Sequence, residues 1–298
     1  MKIAITGSTG LVGSALIDAW SGTHLVTRAI RGPQDSPASV WDPANNWVRP
    51  GAFDGADAIV HLAGASIGSG RWTEKRKAEL VNSRVAATRT LVKHLATLEH
   101  KPGLLVAASA VGFYGSRGDE LLTEESGPGD DFLAKLCQDW ERETAAARDL
   151  GIRTVILRLG VVLTEDGGAL GKMLLPFKLG LGGRIGSGKQ WMSWVSKADV
   201  VRGFDFAITM PGLDGVYNLT APNPATNADF TKALASVLKR PAIFPIPPLA
   251  MKALLGSDAA EGLLLASQRA MPARLQSAGF AFTHGDVRAG LSAALGKG

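Results

Sequence analysis

Lys2-Ile3-Ala4-Ile5-Thr6-Gly7-Ser8-Thr9-Gly10-Leu11-Val12-Gly13 is the stretch on which the fold turns. A short β-rich apolar segment runs into three glycines spaced GxxGxxG, and Leu11, Ala15, Leu16 and Ala19 then recur at helical spacing. The spacing alone is weak. Lying between a strand and a helix, it predicts the opening of a dinucleotide-binding βαβ unit. Gly7 would allow the tight turn, Gly10 the approach of backbone to a pyrophosphate, and Gly13 close packing of helix on sheet. The anionic oxygens would meet backbone N–H groups at the helix N-terminus that have no partner within the helix.

Outward from this turn, strands and helices alternate. Leu25 to Ile30, Ala56 to Ala63, Leu104 to Ser109 and Thr154 to Leu159 read as strands. Lys75 to Leu98 reads as one long helix and Phe132 to Leu150 as another, the latter stopped by Gly151. Asp35 to Pro50, with its Pro, Asn and Asp residues, reads mainly as loop. The alternation predicts an α/β chain: a Rossmann doubly wound parallel sheet with a smaller, mainly C-terminal α/β lobe. Residues 1–165 would form the dinucleotide-binding domain, with later segments around 190–220 returning to it. Residues 166–298 would form the substrate side and a small C-terminal region. Here Gly167-Gly168, Gly182-Gly183 and Gly186-Ser187-Gly188 mark loops around one helical segment, Lys172 to Leu179.

Composition narrows the partners. The formal net charge is +5, but the basic residues are scattered. The densest cluster, Arg71, Lys75, Arg76 and Lys77, is interleaved with Glu74 and Glu79, as on a solvated helix face, so no nucleic-acid partner is expected. The single cysteine, Cys137, sits in a helical pattern and reads as a buried structural thiol, which fits a reducing, cytoplasmic compartment. The apolar start of the chain is broken at once by Thr6 to Thr9, too early for a secretory leader. No apolar run reaches the roughly 18 residues of a crossing helix, so no membrane partner is expected. The five histidines are dispersed and no HExxH motif or cysteine pair is present, so no metal site is indicated.

The assembled motifs resemble the extended short-chain dehydrogenase/reductase superfamily, home of nucleotide-sugar epimerases and dehydratases. Thr6-Gly7-Ser8-Thr9-Gly10-Leu11-Val12-Gly13 is similar to its TGxxGxxG signature, and His61-Leu62-Ala63-Gly64 to its HxAG element. Ser109 stands where that superfamily carries its active-site serine, followed by Tyr114-Gly115. Gly186 to Val195, Tyr217 to Pro224, and the tail from Gln268 to Phe282 resemble an atypical bacterial subgroup, the epimerase family proteins. Some of these are labelled cell-division inhibitors, and they end in a small domain of unknown function. Helix-mediated homodimers are frequent in the superfamily, which leaves room for one here.

The resemblance implies that Thr6, Gly7, Thr9, Gly10, Leu11, Val12, Gly13, His61, Leu62, Ala63, Gly64 and Lys135 line a cofactor. It implies that Ser109 and Tyr114 face a substrate. From the residues themselves, Trp191 and Trp194 either wall a pocket or anchor the second lobe to the sheet, with neither favoured, and Gln190, Ser193 and Arg158 offer polar contacts to a ligand unless Arg158 pairs with an acid. One element departs from the pattern. The superfamily uses a tyrosine four residues before a lysine to pass the proton, and Asp131 stands four residues before Lys135. Tyr114 and Asp131 are the substitute acids the sequence offers, with no standard redox step as the third option. The expected cofactor is NADP(H). The second strand ends without an acid, and Arg31 lies about 20 residues past the glycine turn, where a guanidinium would bond a 2′-phosphate. Arg28 is its understudy. Three functions remain open. The first is an NADP(H)-dependent, epimerase-like oxidoreductase acting on a small polar, sugar-related substrate. The second is a cofactor-binding sensor without turnover, and the third a structural or cell-division partner protein.

Overall fold

A computed structural model describes residues 1–36 and 40–297. At its centre lies a six-stranded parallel sheet: β1 (Lys2–Thr6), β2 (Leu25–Ala29), β3 (Ala58–His61), β4 (Leu104–Ala110), β5 (Arg153–Leu159) and β6 (Gly215–Leu219). Their spatial order is β6-β5-β4-β3-β1-β2. The chain steps outward from β1 to the edge strand β2 and then crosses back past β1 to β3. Strand order therefore reverses between β1 and β3, which opens a crevice beyond their carboxyl ends.

The central strands read as unbroken apolar runs because both faces are covered. Ile3, Ile5, Ala58, Val60, Leu104 and Val106 point to one face and Ala4, Ile59 and Leu105 to the other. α1 (Leu11–Trp20) and α6 (Lys197–Thr209) pack on the first face, and α3 (Ala87–Thr97) on the second. α4 (Phe132–Ala145) adds Leu133, Leu136 and Trp140 to the first core. A separate core joins α5 (Gly168–Lys178) and α7 (Asn227–Leu238) to Trp194 and Leu291. β6 lies in the large sheet and α6 packs on it, although both follow α5 in sequence. The fold is thus a Rossmann-like sheet with smaller C-terminal α/β elements.

Three segments differ from the periodicity. The helix expected over Lys75 to Leu98 is divided into α2 (Glu74–Val81) and α3 by a π-helical turn, Asn82–Ala86. The widened turn brings Ser83 and Arg84 onto the chain leaving β3. Ser83 Oγ accepts from Ala65 N at 3.0 Å, and Arg84 donates to the Ala65 carbonyl at 3.0 Å. The stretch expected as loop contains a small hairpin, Trp41–Asp42 against Trp47–Val48, because Trp41 is fully buried against the sheet. Residues 37–39 of that stretch lie outside the described residues. α5 starts at Gly168, one turn earlier than Lys172.

The C-terminal region is tied down by polar contacts as much as by apolar ones. Arg269–Ala270 pairs with Leu121–Leu122. The fully buried Asp199 carboxylate accepts from Ser196 Oγ and from the backbone N–H groups of Thr283 and His284. Burial pushes this carboxyl up, but those N–H donors and the Ser196 hydroxyl outweigh it and hold it below the usual carboxylate range. Asp199→Ala removes the shared acceptor and should cost roughly 3 kcal/mol in urea unfolding. It should also open the 280–297 segment to proteolysis before the rest of the chain.

Candidate functional site

The glycine turn is built as its spacing requires. Gly7 has φ +69, and a Cβ there would sit 2.7 Å from the Leu62 carbonyl and 2.8 Å from Ala63 N, so the first loop rests directly on the chain leaving β3. At Gly13 a Cβ would lie 2.3 Å from the Gly7 carbonyl oxygen, which closes helix onto turn. Gly10 behaves differently: its Cβ would meet only the Gly7 oxygen, at 3.3 Å, and the residue is exposed. It is the N-cap of α1, no side chain caps that terminus, and no acid occupies the first turn. Thr9 is exposed beside it, with Leu11 and Val12 half-buried behind. A bare helix N-terminus under an open glycine fits a diphosphate.

His61 takes no part in that surface. It is fully buried and joins Thr6 Oγ1 at 2.7 Å through Nδ1 and Thr88 Oγ1 at 2.9 Å through Nε2. The tautomer follows from the neighbours. Thr88 spends its hydroxyl proton on the Arg84 carbonyl, so it must accept from Nε2–H. Nδ1 must then accept from Thr6, whose oxygen takes Leu62 N and Ala63 N. Every group is satisfied around a neutral ring, and burial lowers the imidazole to about 4. Here the structure differs from the expected cofactor contact. Thr6 and His61 form an internal post that fixes the crevice floor, whereas Leu62, Ala63 and Gly64 form its rim.

Ser109, Tyr114 and Arg158 are brought together, but not around an open site. Arg158 Nε and Nη2 make a two-pronged pair with Glu141 at 2.8 Å each, and Ser109 Oγ donates to Glu141 Oε1 at 2.6 Å. Arg158 Nη1 donates to the Tyr114 hydroxyl at 3.0 Å, and that hydroxyl donates to Asn218 Oδ1 at 2.8 Å. Asn218 Nδ2 donates to the Met271 carbonyl, and the Asn218 backbone N–H donates to Glu124 Oε1. Tyr114 is completely enclosed, and burial pushes its phenol up, the opposite of what a proton-transfer tyrosine needs at neutral pH. These three residues, expected at the catalytic and substrate site, are here joined in an internal polar chain in which each polar atom has a partner.

The tryptophan pair also divides. Trp194 is fully buried, bonds the Asn223 carbonyl and packs so tightly on Gly290 that a Cβ there would lie 2.5 Å from its ring. It anchors the small lobe and does not wall a pocket. Trp191 is half-buried, held by Asp119 and by the Arg269 guanidinium 4.3 Å above its ring. Gln190 bridges the Ile185 and Leu264 carbonyls. Asp131 is the N-cap of α4, accepting from Ala134 N at 2.8 Å, a structural duty that accounts for an acid at this position. Lys135, one turn on, is exposed and in no ion pair among the described residues. Arg31 is exposed just beyond β2, its backbone bridged to Trp41. Cys137 is buried and its thiol is pushed up to about 12 by that burial, so it is inert.

Two residues that sequence reasoning passed over matter here. Glu141 falls four residues after Cys137 on the buried stripe of α4. An acid in that stripe, with an arginine inside a buried strand, was a readable sign of a pair. Arg84 leaves less trace in the sequence. Its guanidinium lies against Gly64, where a Cβ would be 3.0 Å from Cζ, and 5.3 Å over Trp140. Burial holds it below the usual arginine range, and it has no carboxylate partner among the described residues.

Two measurements check this account. An unfolded histidine at 6.5 against a folded one at about 4 means that only the unfolded chain gains a proton between these pH values. Stability should therefore fall as pH drops below 6.5 and level off near 4, by about 3 kcal/mol in total. His61→Gln should flatten that limb in urea titrations. Glu141→Gln should cost about 3–5 kcal/mol by stranding the Arg158 charge. The pair Glu141→Leu/Arg158→Met should recover much of that loss.

Comparison with known proteins agrees with the architecture. The model of the NAD dependent epimerase/dehydratase family matches residues 3–220, and a domain of unknown function, DUF1731, matches residues 246–294. An epimerase family protein of Mycobacterium bovis is 43% identical over 287 residues, covering 96% of this chain and 94% of its own length. The human epimerase family protein SDR39U1, solved with NADPH, superposes with a TM-score of 0.87 at 32% identity over 99% of both chains. A nucleoside-diphosphate sugar epimerase from Corynebacterium glutamicum gives 0.80 at 38% identity, covering 99% of this chain and 58% of that one. With its signature turn, reversed strand order and C-terminal region all accounted for, the chain belongs to the NAD dependent epimerase/dehydratase family, within the extended short-chain dehydrogenase/reductase superfamily.

Proposed function

We propose that the chain binds NADP(H) across the carboxyl ends of β1 and β3 and acts as an epimerase-like oxidoreductase on a small polar substrate. The observation that carries this reading is the uncapped α1 N-terminus beneath exposed Gly10. The NADPH in the human relative supports it. Bound NADP(H) would supply or accept a hydride. The chain's own part is to hold the diphosphate on the α1 N–H groups and the 2′-phosphate on Arg31. The Ala63–Gly64 rim keeps the crevice shallow, and Lys135 meets the ribose. Residues 1–165 with the returning 190–220 stretch would be the cofactor half, and the remainder the substrate side. Arg84 offers a cationic floor to an anionic group of the substrate or cofactor. Ser109 and Tyr114, locked to Glu141, Arg158 and Asn218, leave the proton to a group supplied elsewhere in the crevice or by water.

That same locking favours a second reading, a cofactor-binding sensor without turnover. The two separate in one experiment. Protein loaded with NADPH is mixed with carbonyl compounds and nucleotide sugars while the reduced-nicotinamide absorbance is followed. Substrate-dependent loss, or epimerised product, supports the enzyme. A tight complex inert to every compound supports the sensor.

Cofactor choice is tested by titrating stripped protein with NADPH and NADH at one salt concentration. A charge-assisted contact from Arg31 should give NADPH roughly a 10- to 150-fold preference. Arg31→Ala should remove it and leave NADH binding nearly unchanged. Gly10→Val should abolish binding of both in a folded protein. Equal affinities for the two cofactors would overturn the NADP(H) assignment.

A further inference from the structure

The surface that α5 and the 239–255 segment present has an unusual composition. Leu175, Leu179 and Leu181 are 64–68% exposed, and Ile243, Phe244, Leu249 and Leu254 are 65–77% exposed. These two groups are neighbours. Ile185 bridges Ile246, Ile246 N donates to the Arg184 carbonyl at 2.8 Å, and a Cβ on Gly180 would touch Pro241. α8 (Pro248–Leu255) buries none of its residues, although Leu, Met and Ala make up most of it. α5 turns Leu170, Leu174 and Phe177 into its core and leaves Leu175 and Leu179 outside on the next face.

Charge on the same two segments is one-sided. α5 and residues 239–255 contain five Lys and Arg and no Asp or Glu, and one of the five, Lys252, pairs with Glu261. The whole chain carries +5, so the rest of it has no net charge. Lys178, Lys239 and Arg240 are exposed and in no ion pair among the described residues. Exposed leucines, isoleucine and phenylalanine with exposed cations on the same segments complement an interface that is apolar inside and anionic outside. We propose that this face docks on an anionic lipid surface, its apolar tips entering the headgroup boundary and its cations meeting the phosphates. No helix among the described residues is long and apolar enough to cross a membrane. The contact is peripheral, and it would replace the expectation, drawn from the lack of a crossing segment, that no membrane takes part.

The test is co-sedimentation of the full chain with phosphatidylcholine vesicles, with and without phosphatidylglycerol, at low and high salt. Binding to the anionic vesicles is expected, and it should weaken with salt. Phe244→Ser/Leu249→Ser should partition at least about ten-fold more weakly. Lys239→Glu/Arg240→Glu should lose the preference for phosphatidylglycerol. Circular dichroism and thermal unfolding of each variant confirm that the exposed substitutions leave the fold intact. Failure of the wild-type chain to bind anionic vesicles at low salt would overturn the proposal, as would equal binding by the variants. So would sedimentation velocity showing a dimer that Phe244→Ser/Leu249→Ser dissociates while vesicles are ignored, since the occupant would then be a second copy of the chain.

Discussion

A guanidinium set inside a buried parallel strand has to be answered by a carboxylate, and much of this molecule is arranged around that requirement. Arg158 sits in β5 with Glu141 of α4 on two of its nitrogens, and Ser109 of β4 shares the same carboxylate. Its remaining nitrogen continues through Tyr114 to Asn218 of β6 and from there to Met271. One ion pair thus couples three strands, a helix and the C-terminal region. The stacked Phe113 ring, 3.4 Å below the guanidinium, closes the remaining face. Such a pair adds little net stability over an apolar equivalent, but half of it cannot be tolerated, so all its members are fixed together.

The same logic, with neutral groups, governs the crevice. His61 is held uncharged between two threonines, and the hydroxyl that bonds it also takes the two N–H groups of the chain leaving β3. That post sets the height of the rim on which Gly7 rests. The π turn ahead of α3 brings Ser83 and Arg84 down on Ala65 from the other side. The floor is rigid and the α1 terminus above it is open, an arrangement suited to a long anionic ligand lying across the sheet.

The chain departs from the superfamily pattern at α4. Its N-cap is Asp131, four residues before Lys135, and Ser109 and Tyr114 are held in the polar chain around Glu141 and Arg158. The C-terminal region takes the backbone of β6 and the Asp199 carboxylate as its own anchors. The surface that remains without an internal partner is the basic, apolar face of the small lobe.

The sequence by itself determined the parts that depend on neighbours in the chain. The glycine turn, the rhythm of the first five sheet strands, the helix stop at Gly151 and the family follow from spacing and backbone conformation, and these are written within a few residues of one another. The π turn and the Trp41 hairpin were not legible, since both exist to serve side chains that pack from elsewhere. The site was legible only as a list of polar residues at strand ends. The partners these residues take in the fold lie 17 residues apart for Arg158 and Glu141, 55 for Thr6 and His61, and 104 for Tyr114 and Asn218. Only tertiary structure decides such pairings, because a buried polar group takes whichever partner the fold brings within reach, and local sequence does not encode that distance.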